Sequence, residues 1–207
     1  MPCPVGQYQD DTQQSGCKPC EAGSYCGSIG LTAPTGKCAP GYTCIKGAKY
    51  AKPSDYSSGR LCAKGHYCRH GEEVPCPAGS YAPVIAMTAC AKCPPGFYCE
   101  GLGTINPEEC PAGHYCPGGT RDKEEFVCPP GTYTLQWQTG LEEEAQCAAC
   151  PTGYYCEGGQ FDGSKTCAAG YFCKSGASAP EMPENLCPMG FWCQEGATEP
   201  FPCPAGK

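Results

Sequence analysis

Apolar and polar positions along this chain follow neither the helical nor the long-strand period. No segment carries apolar residues at the three- and four-residue spacing of an amphipathic helix, and "GLEEEAQCAAC" at 140–150 has room for one helical turn only. The apolar positions that stand out are single aromatics beside cysteines, as in "GFYC" (96–99) and "GYYC" (153–156). Runs this short suit strands of a few residues, paired as hairpins with the next arm of the chain. The longest apolar run, "YAPVIAM" at 81–87, is far too short to span a bilayer.

Aligning the chain on C-x-x-G-x-aromatic gives twelve starts, at Cys3, Cys20, Cys38, Cys62, Cys76, Cys93, Cys110, Cys128, Cys150, Cys167, Cys187 and Cys203. Successive steps of 17, 18, 24, 14, 17, 17, 18, 22, 17, 20 and 16 residues define a repeat of about 17–18 residues. Glycine holds the fourth place throughout, as Gly6, Gly23, Gly41, Gly65, Gly79, Gly96, Gly113, Gly131, Gly153, Gly170 and Gly190 in the eleven complete repeats. It supplies positive φ and close backbone approach for a tight turn, while the frequent preceding Pro fixes φ and starts that turn. The aromatic in the sixth place can lie over a disulfide or a proline and bury surface that so small a repeat otherwise lacks. Only "CAPGYTC" (38–44) breaks this rule, with Tyr42 one place early.

Each complete repeat holds two cysteines in one of two arrangements. Short repeats close as C-x5-C: Cys20/Cys26, Cys38/Cys44, Cys62/Cys68, Cys93/Cys99, Cys110/Cys116, Cys150/Cys156, Cys167/Cys173 and Cys187/Cys193. Long repeats delay the second cysteine: Cys3/Cys17, Cys76/Cys90 and Cys128/Cys147. Long repeats open three blocks, at 1–75 (one long, three short), 76–127 (one long, two short) and 128–202 (one long, three short), with an unfinished start at 203–207. Cys203 is the odd cysteine of that unfinished start. Pairing within each repeat, staggered pairing between neighbouring short repeats, and pairing of a last cysteine with the next start all remain open, since spacing does not fix connectivity.

The totals agree with a scaffold. With 23 cysteines, 29 glycines and 23 prolines in 207 residues, the expected fold is small and disulfide-rich. It is an elongated tandem array of short hairpin and turn modules with little helix. Disulfides persist in oxidising compartments, which points to the secretory pathway and an extracellular or cell-surface location. No apolar leader follows Met1, so the chain reads as a segment of a longer secreted or membrane-anchored protein. A net charge of −7 with no run of Lys or Arg makes nucleic acid and anionic membranes poor partners. The acidic run "LEEEAQ" (141–146) reads as a solvated loop.

Candidate chemistry is outweighed by the repeat phase. The C-x-x-C pairs Cys17/Cys20, Cys90/Cys93 and Cys147/Cys150 could be zinc half-sites, with His66 and His70 beside Cys68. They lie 73 and 57 residues apart, where the repeat itself puts them. A thioredoxin-type site would need a βαβ context, and a Cys-His hydrolase would need a cysteine outside the repeat. "QDD" (9–11) is thin for calcium, and His114 sits at the variable fifth place. No catalytic residue, metal site or cofactor is expected. Neither Asn106 nor Asn185 begins N-x-S/T, so O-linked sugar on "GASAPEMPE" (176–184) or "GATEPFP" (196–202) is the remaining glycan option.

The long repeats "CPVGQYQDDTQQSGCKPC" (3–20), "CPAGSYAPVIAMTACAKC" (76–93) and "CPPGTYTLQWQTGLEEEAQCAAC" (128–150) resemble ephrin-receptor-like cysteine-rich repeats. That group sits with the growth-factor-receptor and TNF-receptor-like modules and is EGF-like at lower resolution. The short form "CPAGHYCPGGT" is similar to its tandem arrays in large surface proteins. The resemblance implies an extracellular spacer, ligand-binding stalk or polymer subunit, including filaments of the cilium or flagellum hair kind. The leading expectation is therefore a non-enzymatic structural rod that contacts its own kind, with each repeat touching only its neighbours. The alternative is a receptor or adhesion ectodomain. Its candidate contacts lie in the inserts 45–61 and 131–146, with Trp137 foremost.

Overall fold

The computed structural model describes residues 1–161 and 165–204; the last three residues of the 203–207 start lie outside the described residues. The fold is small and disulfide-rich with almost no helix. Helical structure among the described residues is two single 3-10 turns, Glu144–Gln146 and Pro183–Asn185. The first is the one turn expected within 140–150.

Each repeat starts the same way. The N–H of the fifth residue donates to the carbonyl of the second, as Gln7 to Pro4 at 3.2 Å and Tyr154 to Pro151 at 3.2 Å. The motif glycine is the third residue of that turn. Its φ lies between 78° and 90° in all eleven repeats, the conformation that a type II turn demands there. The chain then extends, and the fifth and sixth residues pair antiparallel with the two residues before the next start. Nine two-stranded hairpins form in this way among the described residues, for example Gln7–Tyr8 with Lys18–Pro19 and Tyr154–Tyr155 with Lys165–Thr166. The repeats at Cys110 and Cys167 reduce the pairing to single bridges, His114 to Val127 and Tyr171 to Leu186. The 14-residue repeat at Cys62 has no loop to spare. Its strands His66–Arg69 and Glu72–Pro75 meet through His70 and Gly71, both at positive φ, the twist a two-residue hairpin turn requires.

Of the three pairings open to the sequence, the structure has the one within each repeat. The long bonds are Cys3–Cys17, Cys76–Cys90 and Cys128–Cys147. The short bonds are Cys20–Cys26, Cys38–Cys44, Cys62–Cys68, Cys110–Cys116, Cys150–Cys156, Cys167–Cys173 and Cys187–Cys193. Cys93 and Cys99 are also disulfide-bonded, and Cys203 is an exposed free thiol.

The chain forms two compact units, Met1–Lys92 with Cys99–Pro107, and Cys93–Tyr98 with Glu108–Lys207. The three blocks are a periodicity of the sequence, a different property from this division. Within each unit the core is a series of small clusters. Tyr8 packs on Cys20–Cys26, Tyr25 on Cys38–Cys44 with Ala48, Tyr98 on Cys110–Cys116, and Tyr155 on Cys167–Cys173 with Ala177. In each case the aromatic of one repeat covers the disulfide of the next. The aromatic thus supplies burial between repeats, where a unit this small most lacks it.

Candidate functional site

Two features carry functional interest: the joint between repeats and the insert of the third repeat. At the joint, four backbone hydrogen bonds recur. Between the first two repeats, Cys20 N donates to Gly6 O and Gly6 N to Cys26 O, both at 2.8 Å. Gly30 N donates to Cys3 O at 2.8 Å, and Gln9 N to Leu31 O at 2.9 Å. In the other unit the same four are Cys167 N to Gly153 O, Gly153 N to Cys173 O, Gly176 N to Cys150 O and Cys156 N to Ala177 O, at 2.8–3.1 Å. Most buried start cysteines and motif glycines thereby find a partner for an amide or carbonyl in the next repeat, as buried backbone must; the third repeat joins the fourth through Cys62 N to Gly41 O, Gly41 N to Cys68 O and Cys44 N to Gly71 O.

Two elements of this joint were not read from the sequence. The first is a second glycine, 9–12 residues after each start, with its N–H on the preceding start cysteine: Gly30, Gly47, Gly103, Gly119, Gly140, Gly159, Gly176 and Gly196. All have left-handed φ, and Ala86 takes the same role at φ 63°. The carbonyl of this residue also reaches two repeats back. A Cβ on Gly6 would lie 2.7 Å from Gly47 O, and one on Gly153 would lie 2.6 Å from Gly196 O. The expectation that repeats touch only adjacent repeats is corrected here: the motif glycine is the gap that lets the second neighbour close in.

The second is the seventh place of the long repeats. Short repeats have their second cysteine there, and its carbonyl accepts from the preceding motif glycine. The first long repeat has the half-buried Gln9 there, and the other two have Ala82 and Thr134, both fully buried. Gly65 N donates to Ala82 O at 2.8 Å, and Gly113 N to Thr134 Oγ1 at 2.7 Å. The signal was present in "CPAGSYA" and "CPPGTYT", which align with "CPAGHYC" residue for residue.

The third repeat departs from the pattern. It is 24 residues long, and its sixth place is Thr43. The displaced Tyr42 faces a cleft of about 570 Å³ lined also by Lys52, Pro53, Tyr56, Arg60 and Ile85. The loop forming its wall is tightly held. Asp55 Oδ1 accepts from Ser58 N at 2.8 Å and Ser58 Oγ at 2.7 Å, and these bonds hold its carboxyl below the ordinary range. Tyr56 is left-handed at φ 55°, a conformation costly for an aromatic residue. Gly59 leaves no room for a side chain, because Thr43 O and Pro53 Cγ occupy the place of a Cβ. Arg60 Nη2 pairs with Glu73 Oε2 at 2.9 Å, and Glu73 Oε1 accepts from Ala63 N at 2.7 Å. Burial pushes the Glu73 carboxyl up, but these partners outweigh it and hold the group low.

In the 131–146 insert, Thr134 and Leu141 are buried, whereas Trp137 is 76% exposed. Glu142, Glu143 and Glu144 are exposed, and Gln146 Oε1 accepts from the amides of Glu142 and Glu143. The histidines serve locally. His66 Nδ1 lies 3.1 Å from Lys64 O, and the half-buried His114 ring spans Ala112 O at 3.1 Å and Glu124 Oε2 at 3.2 Å. Asp10 and Asp11 face Lys18, whose ammonium pKa their hydrogen bonds push up to about 12. The cluster Cys62, Cys68 and Glu73 has metal-ligand spacing. Its two sulfurs are joined to each other and its carboxylate is committed to Ala63 and Arg60, so no thiolate donor is on offer. The C-x-x-C cysteines are likewise disulfide-bonded. No helix among the described residues is long and apolar enough to cross a membrane.

Residues 65–110 match the family described as tyrosine-protein kinase ephrin type A/B receptor-like. No curated protein matches the chain. With its disulfides, the match marks the chain as a cysteine-rich module of extracellular type.

Proposed function

Because residues 65–110 are ephrin-receptor-like cysteine-rich sequence, we propose that the chain is a non-enzymatic extracellular structural segment: a disulfide-stapled rod or spacer of a cell-surface protein or extracellular filament. The observation that carries this reading is the four-bond joint, which recurs within each unit at joints such as those of the first repeat with the second, the second with the third, the fourth with the fifth and the ninth with the tenth. A joint that binds each repeat to the next and touches the one beyond resists bending without a large core. Stacking of repeat on repeat is how repeat proteins gain stability in one dimension, and here it extends to the second neighbour. The disulfides close each repeat on itself, so their sulfurs carry no reactive thiolate. The role is therefore mechanical, and the partner is the chain's own kind.

Small-angle X-ray scattering of the oxidised chain tests this. A globular chain of this length has a radius of gyration of about 17 Å. A rod gives a value at least half as large again; a value near the globular figure overturns the proposal.

A further inference from the structure

Charge is unevenly divided along the chain. The unit Met1–Lys92 with Cys99–Pro107 holds nine Lys and Arg against seven Asp and Glu, although the whole chain has net charge −7. Three basic side chains of this unit, Arg69, His70 and Lys92, gather where the fourth and fifth repeats meet. Two adjoining depressions there, of about 520 and about 480 Å³, share Arg69 and Thr88. Tyr67, Ser80 and Lys92 also line the first, and His70 the second. Among the described residues no carboxylate lines either one, and neither Arg69 nor Lys92 has an ion-pair partner. Glu72 stands opposite Arg69 in the hairpin, but its stem lies toward the second repeat: a Cβ on Gly23 would be 3.7 Å from Glu72 Cγ.

The groove is built on strands, not loops. Tyr67 and Arg69 alternate with Cys68 along the strand His66–Arg69, so both project from the face opposite the buried cysteine. Lys92 is the cross-strand partner of Ser80, which sets both side chains on one face of the next hairpin. Cys62–Cys68 staples one wall and Cys76–Cys90 the other. The walls are therefore ordered before a ligand arrives, and binding loses little entropy.

We propose that this groove binds a linear acidic polysaccharide, one built of uronate or sulfated sugars. Arg69 suits a carboxylate or sulfate through two parallel N–H bonds, and Lys92 adds a point charge. Cations alone would suit any polyanion; the rest of the lining selects a sugar. Ser80 Oγ donates to Pro77 O at 2.6 Å and keeps its lone pairs free to accept. The Thr88 and Tyr67 hydroxyls can donate and accept, as sugar hydroxyls do, and the Tyr67 ring offers an apolar face to sugar C–H groups. Each depression lies within the volume range of small-molecule sites, and two in succession suit an extended ligand better than a single small anion. The site is complete within two repeats, so it goes beyond the rod and does not depend on it.

The test is calorimetric titration of the oxidised chain with a heparin hexasaccharide and with an oligogalacturonate of the same length. Binding to at least one, weakening as salt is raised, is expected. The double variant Arg69→Ala, Lys92→Ala should raise the dissociation constant at least about tenfold. Lys123→Ala removes one cation from the other unit and should leave binding unchanged. Tyr67→Phe keeps the ring, removes a hydroxyl and should weaken binding by a smaller factor. Disulfide mapping of each variant shows that the fold is retained. No binding of either acidic oligosaccharide overturns the proposal. So does equal weakening by Lys123→Ala and the double variant, which would reduce the effect to net charge. Equally tight binding of a polyglutamate peptide, or displacement by inorganic sulfate at matched anion concentration, overturns the sugar as occupant. A globular particle in scattering overturns the rod and leaves this site standing, whereas an extended particle that binds neither oligosaccharide does the reverse.

Discussion

The repeats beginning at Cys110 and Cys128 are neighbours in sequence and differ in their staple. The first closes six residues on, at Cys116; the second closes nineteen residues on, at Cys147. Yet Cys116 and Thr134, the seventh residues of the two, are both fully buried. Both accept from the amide of the preceding motif glycine, Cys116 through its carbonyl and Thr134 through its hydroxyl. The invariant unit within this chain is thus the seven-residue backbone frame. The disulfide is attached to it in either of two ways.

If the frame carries the fold, the largest losses come from crowding it. Gly153→Ala places a Cβ 2.6 Å from Gly196 O at φ 83°, whereas Gly170→Ala meets nothing within 4 Å at φ 90°. Left-handed strain alone costs roughly 1–2 kcal/mol, and the backbone overlap adds about 1–3 kcal/mol. Thermal unfolding of the two variants should therefore separate them, with Gly153→Ala much the worse; equal losses would remove the second-neighbour contact from the account.

Next come the staples. Removing both cysteines of the long bond Cys128–Cys147 should cost about 3 kcal/mol, and of the short bond Cys110–Cys116 about 2 kcal/mol, from loop entropy. A reversed order in denaturant titrations would show that the short staple holds more than its loop. Thr134→Val tests the frame at the long repeat itself. It leaves the Gly113 amide without its acceptor at a cost of about 1–3 kcal/mol, and Thr134→Ser should recover most of it. The smallest effect contrasts the third repeat with the regular ones. The Glu73 carboxyl is held below its ordinary 4.5 in the folded state. Its contribution is present above pH 4.5 and is lost as pH falls through the lower folded value. The stability difference between the native chain and Glu73→Gln should be constant from pH 7 to 5 and shrink in more acid solution.

Much of this was legible because the frame is written in residue types with strong local meaning. Gly in the fourth place announced the turn, and the aromatic in the sixth announced a short strand. The connectivity was not legible, because three pairings satisfy the same spacing equally. The second glycines, such as Gly47 and Gly140, were missed because they lie in loops of variable length. Their phase is set by the preceding repeat's start cysteine, a partner far away in sequence. That aromatics such as Tyr8 and Tyr155 cover the next repeat's disulfide also depends on how repeats stack, which no single repeat encodes. The third-repeat cleft left one trace, Tyr42 standing a place early; its wall depends on the Asp55–Ser58 clasp and the buried Pro53, which are tertiary.

The most direct test of the frame is amide hydrogen exchange on the oxidised, glycine-labelled chain. The account predicts that the amides of Gly65 and Gly113, which precede long repeats, are protected as well as those of Gly96 and Gly153, which precede short ones. Free exchange at Gly65 and Gly113 beside protection at Gly96 and Gly153 would contradict it, and would make the disulfide, not the backbone frame, the unit of this architecture.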